Sequence, residues 1–203
     1  SVLSLFFLRE YFGERGEIVR MKRKKNTFVS RAAVGCVTTA IFLLLCIIKG
    51  IYPFGIATLD TVDFQSQWIP AYYHVWDVLH GDGSAFFDWR VGGGNNFAGV
   101  SAQFSLFSPF NLFFLFVKRS WIEKSMIVFL LIKLLAMGYG MRWFLKEQIL
   151  KEERYGIYIL AGSVGYAVNG YTLLYYGMGW LDVAAILPLL CYFFCRMAER
   201  EGD

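Results

Sequence analysis

From Thr58 to His80 the chain reads TLDTVDFQSQWIPAYYHVWDVLH. Phe64, Trp68, Tyr72, Val75 and Leu79 recur at spacings of three and four, which predicts a helix with one apolar stripe. Asp63, Gln67, His74 and Asp77 fall on a second stripe, which is polar. Such a helix lies on a membrane surface with its polar side either toward a cavity or simply toward water. Asp60 or Thr61 is placed to cap its start. Pro70 is placed to bend it or divide it in two.

Around this stretch the pattern predicts an all-α polytopic membrane protein with four spans. Residues 32–52 are apolar apart from Thr38, Thr39 and Lys49, and are long enough to cross a bilayer core of ~30 Å. Lys49 lies near the far end, where it can snorkel to the interface. Residues 122–145, 155–175 and 181–195 form the second, third and fourth runs. Gly156, Gly162, Gly165 and Gly170 are expected to let the third pack closely, and Pro188 to interrupt the fourth. Ser108-Pro109 reads as the cap and first turn of a helix, and residues 110–117 are apolar but too short to span. Interfacial helices are therefore expected within the loop at 53–121, together with a turn at Gly81-Asp-Gly-Ser and a glycine-rich loop at Gly92-Gly-Gly.

Charge fixes the expected orientation. Arg20, Lys22, Arg23, Lys24, Lys25 and Arg31 precede the first span, Lys146, Lys151 and Arg154 fall in the turn at 146–154, and Arg196 and Arg200 follow the fourth. The loop at 53–121 carries fewer, Arg90, Lys118 and Arg119, with Lys124 just beyond it. This asymmetry predicts cytoplasmic residues 1–31, 146–154 and 196–203, with 53–121 and the turn at 176–180 outside. The protein is thus expected in the cell membrane, multi-pass, with its N-terminus cytoplasmic.

Composition agrees. Hydrophobic residues make up 57% of the chain, charged residues 18%, and mean hydropathy is +0.46. The basic residues border apolar runs, so the net charge of +4 does not point to nucleic acid. Cys36, Cys46, Cys191 and Cys195 all lie within apolar runs, which argues against a disulfide framework. Met21-Lys-Arg-Lys-Lys reads as a natural start before a first span, and a purine-rich sequence would encode Arg15-Gly-Glu before it. Residues 1–20 are therefore expected to be translated from upstream DNA, with a short amphipathic leader as the alternative.

Two features carry candidate chemistry. Acids concentrate at the start of the first loop, where Asp60 and Asp63 lie a helical turn apart. Two acids that close either raise one pKa or share a divalent metal, and the sequence leaves both open. Lys133 lies in the middle of the second span, where an ionisable residue costs roughly 2.5–3.5 kcal/mol on insertion scales. It is expected to bind an anion, pair with an acid, or pack inertly between helices.

The order of several short motifs resembles the bacterial YfhO family of membrane proteins. They are Tyr52-Pro-Phe-Gly, Asp63-x-x-x-Gln67-Trp-Ile-Pro, Leu79-His-Gly-Asp-Gly-Ser, Gly92-x-Gly-x-Asn96-Phe, Ser108-Pro-Phe-Asn-Leu, Lys133 in its helix, and Trp180-Leu-Asp with Leu187-Pro. The resemblance spans roughly residues 50–190, and its individual motifs are short. It implies a fold like that of C-type (GT-C) glycosyltransferases, polytopic proteins that use polyprenyl-phosphate-sugar donors. Family proteins are much longer, so it also implies that this chain is an N-terminal fragment. The implied activity is hexosyl or N-acetylhexosaminyl transfer to a cell-envelope polymer such as lipoteichoic acid, on the external face of the bilayer. Asp63 matches the family acid and would serve as general base, with Asp60 in reserve. No other cofactor is implied. Gln67 and Asn96 fall within the motifs as substrate-binding candidates, and His74 is a further one on the polar stripe that Gln67 shares. Arg90, Lys118 and Arg119 are placed to hold the lipid phosphate, and Asp182 either orients the acceptor or caps the fourth helix. The alternative is a non-enzymatic membrane protein, a transporter or flippase for lipid-linked sugars or a packing module. A transporter should carry polar groups along several spans, whereas here Lys133 alone is deep.

Overall fold

The computed structural model describes residues 31–59, 64–100, 107–150, 155–175 and 180–201. Four helical segments in it are long and apolar enough to cross a membrane: Arg31–Ile48, Arg119–Ile149, Gly156–Leu174 and Leu181–Glu199. We label Arg31–Ile48 α1, and Ile69–Leu79, preceded by a π-helical turn at Phe64–Trp68, α2. A two-residue strand β1 (Phe87–Asp88) pairs antiparallel with β2 (Asn95–Asn96), and a short helix α3 (Phe97–Val100) follows. A 3-10 helix spans Pro109–Phe116. Then come α4 (Ile122–Phe144), α5 (Gly156–Ala167), α6 (Gly170–Leu174) and α7 (Leu181–Glu201). The all-α expectation thus holds for the spans, and the loop adds one small hairpin.

Helix α4 is the centre. Met126, Phe129, Leu130, Lys133, Leu134 and Met137 are buried at spacings of three, one, three, one and three, a stripe that faces the other helices. It packs against α7 on one side and α5 on another. The other spans are less enclosed. Leu44, Ile47 and Ile48 of α1, Ile157 and Tyr158 of α5, and Leu190, Phe193 and Phe194 of α7 lie exposed. In a bilayer such surfaces meet lipid tails, so their exposure carries no cost.

Of the four glycines the sequence pointed to, one, Gly162, makes a close approach among the described residues; the other three do not. Among the described residues, a Cβ at Gly156, Gly165 or Gly170 would meet nothing within 4 Å. At Gly162 it would meet the Leu145 side chain. At Gly138 of α4 it would meet Val34 of α1 at 3.3 Å and Ala167 of α5 at 3.6 Å. At Gly140 it would meet Ala185 and Pro188 of α7 at 3.5 and 3.8 Å. Spacing marked the third run, where Gly162 alone of the four meets a neighbour, while Gly138 and Gly140 bring α4 close to three other helices.

Two further expectations change. Pro188 does not interrupt the fourth span, since α7 runs unbroken through it. Neighbouring helices can compensate for the missing N–H inside a membrane, and Gly140 gives its ring room. The third span is broken instead, at Val168-Asn169. There the Asn169 side chain accepts from the Thr172 N–H at 3.0 Å and donates to the Tyr166 carbonyl at 2.7 Å. These bonds take the place of helix bonds lost at the break.

The predicted apolar stripe packs as expected. Phe64, Trp68, Tyr72 and Val75 are buried, and Pro70 falls where the π turn passes into α2. Tyr72 lies 5.3 Å, centroid to centroid, from both Phe114 of the 3-10 helix and Phe129 of α4. Phe114 and Phe129 are 5.0 Å apart. Such aromatic pairs contribute about 0.5–1.5 kcal/mol each beyond their area. The cluster fixes the loop as a cap on one end of the bundle. Ser108 caps the 3-10 helix, its Oγ accepting from the Phe110 N–H at 3.2 Å.

Candidate functional site

Between the cap and the head of α4 lies a cleft of about 710 Å³. Gln67, Tyr73, His74 and Asp77 line it from the α2 side, Arg90 from the hairpin, and Arg119 and Glu123 from the start of the second span. The polar stripe read from sequence, as far as Gln67, His74 and Asp77, therefore faces one cavity. Its first member, Asp63, lies outside the described residues, as does Asp60.

An ion network braces the cleft. Asp77 accepts from Arg119 Nε at 2.8 Å on Oδ1 and from Arg90 Nη1 at 3.3 Å on Oδ2. Arg90 also forks onto Asp88, with Nη2 at 2.7 Å from Oδ2 and Nε at 3.0 Å from Oδ1. A further bond runs from Arg90 Nη2 to the Asp82 carbonyl at 2.6 Å. His74 joins from the α2 side, with Nε2 3.1 Å from the Ser84 carbonyl and Nδ1 4.0 Å from Asp88 Oδ2. The fork geometry suits a guanidinium and not an ammonium.

The local fold is built for these contacts. Gly81 at φ +83° turns the chain out of α2. Gly92, Gly93 and Gly94 at φ +57°, +80° and +109° close the hairpin, a run that only glycine adopts without strain. Bonds from the Arg90 guanidinium hold the Asp88 carboxyl well below the usual carboxylate range; the Arg90 backbone N–H adds to this, and burial opposes it. The same pairing pushes Arg90 upward. Both groups are therefore charged at neutral pH.

The other expected site residues sit apart. Asn96 lies in β2, its side chain accepting from the Gly99 N–H at 3.2 Å, and does not line the cleft. Lys118 is exposed beside Arg119 and also lies outside the lining. Lys133 and Asp182 form a separate buried pair between α4 and α7, Nζ to Oδ1 at 2.7 Å. Of the readings open for Lys133, pairing with an acid is what the structure holds. Asp182 makes no capping hydrogen bond among the described residues. Among them, too, no three His, Cys, Asp or Glu side chains gather as a metal-ligand set.

A family model described as bacterial membrane protein YfhO matches residues 35–200. The chain belongs to the YfhO family. No curated protein and no solved structure matches it. In this YfhO protein the matched region takes in the cap, the cleft and most of the helical bundle. Four of the expected residues, Gln67, His74, Arg90 and Arg119, come together there. Sequence reasoning passed over Tyr73, Asp88 and Glu123. Asp88 had a readable signal, an acid two positions before an arginine in a turn. Tyr73 and Glu123 did not, because only the fold brings α2 beside the head of α4.

Proposed function

We propose that this YfhO-family protein is a membrane glycosyltransferase working on the external face of the cell membrane. It moves a sugar from a polyprenyl-phosphate donor to a cell-surface polymer such as lipoteichoic acid. The observation that supports this most is the cleft at the head of a span, lined by two arginines, His74 and Gln67. A lipid phosphate is anchored at the depth of the interface, which is where Arg119 opens the second span. Arg119 uses Nε and Nη2 on Asp77, and among the described residues its Nη1 donors are unused. They are available to a phosphate oxygen.

The reaction needs a base and a leaving-group partner. An acceptor hydroxyl gives its proton to a carboxylate as its oxygen attacks the anomeric carbon. The carbon–oxygen bond to the phosphate breaks, and polyprenyl phosphate departs with the electron pair. A fixed cation lowers the cost of that developing charge. Asp63 is the base in this reading and Asp60 its neighbour. Asp63 stands four residues before Gln67, whose side chain faces the cleft.

The test is sugar incorporation by the full-length protein. Asp63→Asn keeps shape and removes basicity, so transfer should fall by ~10²–10⁴-fold with membrane insertion unchanged. Asp60→Asn should cost less. Near-normal transfer in both variants would remove the acid pair from the mechanism; no transfer by the unaltered protein would favour the non-enzymatic role.

A further inference from the structure

Two carboxylates line the cleft among the described residues, and they differ in one respect. Asp77 has both oxygens in ion pairs with arginine. Glu123 has one partner, the Tyr73 hydroxyl, which donates to its Oε1 at 3.3 Å. Its Oε2 meets no donor among the described residues. Tyr73 is held as a donor, because burial first and the Glu123 charge second push its phenol upward. The Arg119 guanidinium lies over the Tyr73 ring, 5.0 Å from its centroid. Arg119, Tyr73 and Glu123 thus form a row, cation to ring to carboxylate, along one wall of the cleft.

This order separates two kinds of ligand. A phosphate is drawn to the Arg119 end and repelled from the Glu123 end. A carboxylate has about four acceptor sites and gives up no proton, so its free oxygen suits paired hydroxyl donors. An aromatic ring beside it offers an apolar face to the C–H side of a polyol. We propose that Glu123 and Tyr73 form the acceptor subsite of the cleft, binding a polyhydroxylated chain beside the donor phosphate on Arg119. This rests on the transferase reading and deepens it. Glu123 positions the acceptor and is distinct from the base. A carboxylate in the first turn of α4 also suits the helix N-terminus, so the test must read ligand binding as well as stability.

The experiment uses the full-length protein in lipid nanodiscs, with maltotriose, a short uncharged polyhydroxylated oligomer, as acceptor probe. Glu123→Gln should raise the acceptor KM about ten- to a hundredfold, the scale of a hydrogen bond to a charged group, with the donor KM unchanged. Tyr73→Phe keeps the ring and should raise the same KM by less. Arg119→Gln should raise the donor KM instead. Glu123→Asp, which keeps the charge on a shorter arm, should recover part of the loss. An unchanged acceptor KM in Glu123→Gln would overturn the subsite. A fall in kcat alone would overturn it as well, and would make Glu123 a base. If the unaltered protein transfers no sugar, the transferase reading fails separately. Equilibrium binding of the oligomer then decides the subsite, with loss of binding in Glu123→Gln expected and unchanged binding overturning it.

Discussion

Lys133 of α4 and Asp182 of α7 meet at 2.7 Å with 2% and 6% of their surfaces exposed. Lys133 Nζ also lies 4.5 Å from the centroid of Phe129 and 5.8 Å from that of Phe110. Phe110 belongs to the 3-10 helix of the cap. Tyr72 of α2 is close enough that the Asp182 charge, after burial, helps to push its phenol upward. The pair therefore stands where two spans meet the underside of the cap. The other Asp182 oxygen has no hydrogen-bond donor among the described residues, so Lys133 is what offsets its charge.

That geometry sets the first prediction. Removing one partner of a buried pair leaves the other charge uncompensated, which typically costs about 3–5 kcal/mol. Lys133→Met and Asp182→Leu should each lower the unfolding midpoint in detergent sharply. The double variant should regain most of the loss, because replacing both charges by apolar groups is often nearly neutral. Equal, additive losses in the singles and the double would mean that the pair is not coupled.

The second prediction concerns helix approach. Gly138→Val adds atoms against Val34 and Ala167, where a single Cβ already comes within 3.3 Å. Overpacking of this kind costs about 1–3 kcal/mol. Gly165→Ala meets no neighbour among the described residues and should stabilise α5 by about 0.5–1 kcal/mol. Thermal unfolding of the two variants checks both, and equal effects would contradict the packing described.

Much of this fold was legible because membrane physics is strict. The run at 32–52 is long and apolar enough to span, and a helix long enough to cross a membrane stands there over Arg31–Ile48; the stripe from Phe64 to Val75 admits one buried face. What the sequence hid is tertiary. Four glycines in the third run looked like a contact surface, yet only Gly162 meets a neighbour, because close approach depends on which helix lies in the middle, and that is α4. Pro188 looked like an interruption because its missing N–H is visible, while Gly140 opposite it is not identifiable from sequence as its partner. In the cleft, Gln67 and His74 share a helix period and were readable together. The closure of Arg90 and Arg119 on Asp77 joins three distant segments, and no local spacing encodes it.

Orientation gives a third prediction. With the native cysteines replaced by alanine, Phe86→Cys in the cap should react with a membrane-impermeant thiol reagent added to whole cells. Glu147→Cys, exposed at the other end of α4, should react only after the cells are opened. Labelling of Glu147→Cys from outside would invert the topology that the positive charges favour.

The last prediction follows from the Arg90–Asp88 fork. The Asp88 carboxyl is held well below the usual carboxylate range, chiefly by hydrogen bonds from the Arg90 guanidinium. A depressed value in the folded state means that the ionised form is favoured by folding. Its contribution is therefore complete above the ordinary carboxylate value of about 3.9 and is lost as pH falls through the lower folded value. The hairpin from Phe87 to Asn96 should accordingly hold its protection between pH 8 and pH 5, and still at about pH 4, where an unpaired carboxylate is half protonated. Below that it should open, as Asp88 takes up a proton and releases Arg90. Asp88→Asn removes the charge at every pH, so its hairpin should be open already at pH 7, and its protection should not change with pH over this range. Amide hydrogen exchange across residues 87–96, normalised to the intrinsic rate at each pH, reads both cases. Loss of protection in the unaltered protein between pH 6 and pH 5 would contradict the assignment, since a carboxyl titrating there is raised and not depressed.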